Sequence, residues 1–439
     1  MIEKTHLKEC LSKAFKKKEI SDTIFRYTTT TDIDINNCLL NSKNNNIFYI
    51  SYSDKKYFGL DKCIEYNLIS KKSILELVNN NNKVISYGIN TNTDIKFFGG
   101  VGFDMNNNFS YPAQDLPKGL FFIPKILIED TNNSITISFQ TLLNKDIDSI
   151  INEYCKLESV LNFKSVSKQY YNEVIDNISI PSKSDYSKIF NSYIDDINNN
   201  QYDKIVLSRM KKITLKSELN YENIFKAMDN NCTNFLFTLN KNEKFFGSSP
   251  EKLIHLLNNN FISEAIAGTY PQKKTHNKKS LLNNKKELSE HNFVITHLVE
   301  ILKKYSNDIH ISKSKILELT HLSHIQTLIN GKLKKNIHIL ELLYYLYPTP
   351  AVAGYPVKKT ITKINKSEPF SRGWYSGCFG WFDQIGNGKF DVSIRCALSK
   401  NKTLILLSGG GIVKKSTLEN EWDETKTKFE HLLSSIAKK

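Results

Sequence analysis

Gly409-Gly-Gly-Ile-Val-Lys-Lys-Ser-Thr-Leu-Glu-Asn-Glu-Trp-Asp-Glu-Thr-Lys-Thr-Lys428 is the stretch around which the rest of the chain can be arranged. Its glycines predict a turn that runs into the start of a helix. Ser416 and Glu419 have the S-x-x-E spacing of a capping box. Beyond it, Glu421, Glu424, Lys428 and Leu432 recur at steps of three and four and so share one helix face. Two carboxylates and an ammonium therefore lie on the stripe expected to face the interior. Buried charge demands a partner, and a cation is the first candidate.

A second segment repeats the pattern. Asn284 to Tyr305 reads as a long helix with Glu287, Glu290, Val294 and Leu298 on one face. One such helix is unremarkable, because acids gather in a solvated first turn. Two in one chain point to a shared cation. The donors are all oxygen, with no His or Cys in a ligand pattern, which favours Mg²⁺.

The bulk properties set the frame. A chain of 439 residues, 40% apolar, suits one large domain or two. The net charge of +15 is compatible with anionic substrates. It also leaves a basic nucleic-acid-binding protein as a lesser reading, which the scatter of lysines among asparagines, rather than in one stripe, counts against. The 7 cysteines form no C-x-x-C and suggest a reducing compartment. No apolar leader is expected at the start, and no stretch is long enough to span a bilayer. The expectation is a cytoplasmic protein with no nucleic-acid or membrane partner. No heptad suggests a tight oligomer, so a monomer or weak homodimer is expected.

Residues 1–165 read as a variable mixed α/β region packing on the remainder, with strands at Ile47–Tyr52 and Ser134–Leu142. Lys96–Asp104 reads as a strand with close backbone packing at its glycines. Residues 165–185 form a polar junction, and Asp185 is expected to open a helix. Tyr202–Arg209 predicts a strand with Lys204, Val206 and Ser208 on one face. Taken alone, Lys204 is expected at an exposed edge, and Glu251, just after Pro250, in a solvated turn. A strand ending at Gly268 leads into a turn where the Gly268 amide and Thr269 hydroxyl could hold an anion. Phe390–Leu398 predicts an alternating strand that carries Arg395, a natural fork for a carboxylate. Thr403–Ser408 then delivers the chain to the Gly409 turn.

The order of motifs resembles the chorismate-binding enzymes. That group holds isochorismate synthases, salicylate synthases and the large subunits of anthranilate and aminodeoxychorismate synthases. The matching stretches begin with Lys204-Ile-Val-Leu-Ser-Arg209, Phe246-Gly-Ser-Ser-Pro-Glu251, Ala267-Gly-Thr269 and Lys286-Glu-Leu-Ser-Glu-His291. They continue with Pro348-Thr-Pro-Ala351, Arg372-Gly-Trp-Tyr-Ser-Gly377, Val392-Ser-Ile-Arg395, Gly409–Val413 and Glu421-Trp-Asp-Glu-Thr425. They cover roughly 185–437, the expected catalytic region.

The resemblance implies an α/β (α+β) fold of two packed, largely antiparallel sheets flanked by helices around one cleft. It implies Mg²⁺ ligation by Glu290 and Glu424, with Glu287 and Glu421 in support. Gly268, Thr269 and Lys428 are implied as contacts to the ring carboxylate of chorismate. Tyr375, Arg395 and Gly409 are implied at the enolpyruvyl carboxylate, Ala351 in the wall, and His324 beside the ring. Lys204 resembles the general base of members that add water; ammonia-using members typically have glutamine there. Glu251 resembles the acid. The expectation is therefore isochorismate synthase, an isomerase of the hydroxymutase type serving menaquinone or siderophore formation. Salicylate synthase is the nearest rival, since it would use the same residues. Tyr347 departs from the His that many members carry before Pro-Thr-Pro.

Overall fold

A computed structural model describes residues 2–20, 22–40, 45–80, 82–131, 133–161, 172–271, 278–319 and 322–437. The 165–171 part of the expected junction and the Thr269 side chain lie outside what is described. Among the described residues, 21 strands join ladder to ladder in one network. All the ladders are antiparallel except Ile24–Thr30 with Val84–Gly88. The expected class, large antiparallel sheet flanked by helices, is the one that forms. The strands expected as two packed sheets are linked into one continuous hydrogen-bonded system.

The ladders cross the expected junction. Ile47–Ser51 pairs with Thr233–Asn240, and Lys96–Val101 pairs with Cys378–Asp383. The cores are shared in the same way, with Phe48 and Phe98 packed in one cluster with Phe235, Trp374 and Phe379. Phe235 and Phe379 stack at 3.8 Å between centroids. The glycines of the Lys96 strand make this junction possible: a Cβ on Gly100 would stand 2.4 Å from the Cys378 carbonyl oxygen.

The helices present one buried stripe each. Lys183–Asn198 buries Tyr186, Phe190, Tyr193 and Ile197. Its cap is Ser182, whose hydroxyl accepts from the Asp185 amide at 3.1 Å, so the helix opens earlier than Asp185. Lys285–Tyr305 is capped by Asn284 and buries Glu287, Glu290, His291, Val294 and Leu298.

Three local expectations are corrected. Gly409–Gly411 do not form a turn; they lie inside the strand Thr403–Val413, opposite Ser208, Leu207 and Val206. Ser416 does not cap the last helix. Thr417 occupies that position without a side-chain bond, and the Ser416 hydroxyl donates to Glu421 Oε1 at 2.7 Å instead. Gly268 sits not in a turn but at an irregularity within Asn260–Pro271, with φ of +73°.

Candidate active site

The Lys204–Leu215 strand is central. Thr403–Val413 runs along one edge from Lys204 to Thr214, and Gly354–Tyr355 pairs with Ile205 and Lys204 on the other. Lys204 is accordingly 0% exposed, not the edge lysine that frequency alone suggests. Its Nζ lies 2.9 Å from Glu290 Oε1, on the Lys285–Tyr305 helix.

A narrow cleft opens between these elements. Of the expected site residues, Glu251, Gly268, Glu290, His324, Ala351, Tyr375, Arg395, Gly409 and Lys428 line it. Lys204 meets Glu290 at 2.9 Å but, like Glu287, Glu421 and Glu424, is not among the lining residues.

Glu251 is buried rather than solvated in a turn; it is 2% exposed and its Oε1 has no hydrogen-bond partner. Burial pushes its carboxyl up to about 8, with Lys204 and Lys428 pulling the other way. Arg395 lies between the strands Gly388–Val392 and Cys396–Lys400, with φ of +52°, and not within one alternating strand. That break turns its side chain toward His324. Arg395 Nη2 donates to His324 Nε2 at 3.0 Å, and His324 Nδ1 donates to the Gly268 carbonyl at 3.1 Å. Burial, then the charges of Arg395 and Lys428, push His324 down to about 3, so it is a neutral relay of hydrogen bonds. Arg395 Nη1 is buried with no partner.

The glycine stretch explains how the carboxylates approach. A Cβ on Gly411 would stand 2.2 Å from Glu290 Oε1, and one on Gly410 2.8 Å from Glu421 Oε2. On Gly409 it would meet Ser208 Oγ at 2.9 Å and the Tyr375 hydroxyl at 3.0 Å. Only a strand without side chains lets both acidic helices lie this close.

Each acid has a lysine. Lys428 pairs with Glu424 at 2.7 Å and donates to the Gly409 carbonyl at 2.8 Å. Lys286 reaches Glu421 at 2.8 Å and Glu287 at 3.4 Å, joining the two helices. Burial and the neighbouring Glu424 raise the Glu421 carboxyl to about 7. Burial works against the Glu424 charge, but Lys428 holds its carboxyl below the usual range. Among the described residues, no group of three or more His, Cys, Asp or Glu is arranged to hold a metal ion. The chemistry still fits a hard cation: Glu421 is 1% exposed, and its Oε2 is buried without a partner. The Lys286 bridge is the feature that sequence reasoning missed; its place beside Glu287 in the Lys286–His291 motif was the available signal.

A family model for chorismate-binding enzymes matches residues 6–437, and the chain belongs to that family. Within it, the chain is similar to isochorismate synthase MenF of Bacillus subtilis, 29% identical over 77% of this chain and 74% of the relative. It is also similar to the vibriobactin-specific isochorismate synthase of Vibrio cholerae, 30% identical over 59% of this chain and 68% of the relative. The fold matches the solved menaquinone-specific isochorismate synthase MenF of Escherichia coli. That match has a TM-score of 0.80 at 21% identity, covering 98% of this chain and 99% of that one.

Proposed function

We propose that the chain is an isochorismate synthase, which converts chorismate reversibly to isochorismate by adding water at C2 and expelling the C4 hydroxyl. The observation that carries the reading is Glu251, a cavity carboxyl held protonated near neutral pH. Expelling hydroxide needs an acid, and attack by water needs a base. Glu251 gives its proton to the departing C4 oxygen. The neutral amine of Lys204 takes the proton of the attacking water, and Glu290 at 2.9 Å steadies the ammonium that results. The names and the extent of the relatives' matches support the same activity.

Arg395, Tyr375 and the Gly409 backbone hold the enolpyruvyl carboxylate, with His324, itself in the cleft wall beside the ring, fixing Arg395. Gly268, Thr269 and Lys428 hold the ring carboxylate, and Ala351 closes the wall. A Mg²⁺ ion bound by Glu290 and Glu424, with Glu287 and Glu421 in support, would supply positive charge to the ring carboxylate. The setting proposed is menaquinone or siderophore biosynthesis in the cytoplasm. Purified protein incubated with chorismate and Mg²⁺ is expected to yield isochorismate by chromatography; its absence overturns the reading. Salicylate in place of isochorismate would transfer the chain to the rival activity.

A further inference from the structure

The strand that carries Lys204 has an incomplete edge. Gly354–Tyr355 covers Ile205 and Lys204, and Val174–Ile180 covers Leu215 back to Met210. Among the described residues, no strand faces 206–209 on that side. These backbone groups are buried, and buried backbone groups need partners. The Val206 amide donates to the Ala353 carbonyl at 3.1 Å, and two side chains supply two further partners. Arg372 Nη2 donates to the Val206 carbonyl at 2.8 Å, and the Ser208 amide donates to Glu368 Oε1 at 2.8 Å.

The two side chains are themselves locked together. Arg372 Nε donates to Glu368 Oε2 at 2.8 Å, and Nη2 donates to Oε1 at 2.6 Å. Both side chains are at most 2% exposed. The remaining nitrogen, Nη1, donates to the Val352 carbonyl at 2.7 Å. The pair therefore offers one donor and one acceptor to the strand edge, as a neighbouring strand would, and a second donor to the cavity wall. Val206 and Val352 both line the cavity, and Lys204 is two residues from Val206.

We propose that Glu368 and Arg372 are positioning residues: their ion pair stands in for a missing strand and fixes Lys204 and the Val352 wall. A buried ion pair contributes little net stability against a well-packed apolar pair. Its place here is explained by geometry, since a planar fork and a carboxylate can bond a strand edge and each other at once. The inference rests on Lys204 being the base.

The test compares the double variant E368L/R372M with R372K, using melting temperature, kcat, KM and crystal structures. The double variant removes both charges, so it is expected to melt at or above either single variant. Its kcat should fall about a hundredfold, the scale of a misplaced catalytic group, with KM changing less. The crystal structure should show Val206 shifted and the Lys204 ammonium out of reach of Glu290. R372K keeps the charge but not the fork, and should fold with kcat lowered about tenfold. A folded variant with kcat within about twofold of wild type and Lys204 in place overturns the proposal. If the double variant fails to fold, R372K decides. If wild-type protein makes no isochorismate, the base assignment fails instead, and the crystallographic position of Lys204 still tests the pair.

Discussion

Lys204 Nζ and Glu290 Oε1 lie 2.9 Å apart, joining a central strand to the acidic helix at the rear of the cleft. The proposed proton transfer and the acidic cluster therefore meet at one point. Replacing Lys204 with Gln should lower kcat by about 10²–10⁴-fold, the range of a lost general base. Chorismate binding, measured by calorimetry, should persist, because the substrate carboxylates are proposed to have other partners. An unchanged kcat would remove Lys204 from the base role.

The Glu251 carboxyl titrates near 8 in the folded protein, against about 4.3 in an unfolded chain. Activity should fall as pH rises through about 8, and E251Q should lose both that limb and most of kcat. Between these two values the folded state binds the extra proton. The stability contribution is therefore full at low pH and declines up to about 8. Melting temperatures from about pH 5 to 8 should fall more steeply in wild type than in E251Q; parallel slopes would count against the raised carboxyl.

Glu421 Oε2 is buried and unpartnered. Mg²⁺ at about a hundred times its Kd should stabilise the protein by about 2.7 kcal/mol, a shift of several degrees in melting temperature. EDTA should reverse it, and E421Q should weaken Mg²⁺ binding about 10–100-fold. A melting temperature indifferent to Mg²⁺ in wild type would eliminate the cation site.

Gly411 allows Glu290 to approach the strand. In G411A the new methyl would stand 2.2 Å from Glu290 Oε1, so that carboxylate must move. The expected result is a folded protein with kcat reduced at least about tenfold. Full activity would show that Glu290 has room to spare.

His324 is neutral and engaged at both ring nitrogens. H324A should free Arg395 to wander and raise KM about tenfold or more, with a smaller effect on kcat. Because its ring is pushed down to about 3, no activity limb near the ordinary histidine value of about 6.5 should disappear with it. Loss of such a limb would make His324 a proton carrier.

Much of the site was legible locally. The two acidic helices follow from spacing, and the Lys285–Tyr305 helix begins one residue after its Asn284 cap. Arg395 stands out by residue type and setting, whereas Lys204 and Glu251 were singled out by the family motifs they sit in. The errors fell where local rules were overruled by neighbours. Three successive glycines read as a turn, yet Gly409–Gly411 are strand because Glu290, Glu421 and Tyr375 fill the space their side chains would take. Ser416 had capping-box spacing, but its hydroxyl was drawn to Glu421 instead. A lone lysine in an apolar strand read as exposed, because nothing in the segment shows that strands flank it on both edges.

The sequence by itself determined the elements, the acidic helix faces and the family, because periodicity, caps and motif order are properties of residues near one another along the chain. The tertiary structure alone decided which charges meet. Lys286 with Glu421, Lys204 with Glu290, and Arg372 with Val206 are joined across 135, 86 and 166 positions respectively. Such pairings are set by how sheets and helices pack, and so is the burial that raises Glu251 and silences His324. Desolvation and partner choice are properties of the assembled interior, and no local stretch of chain encodes them.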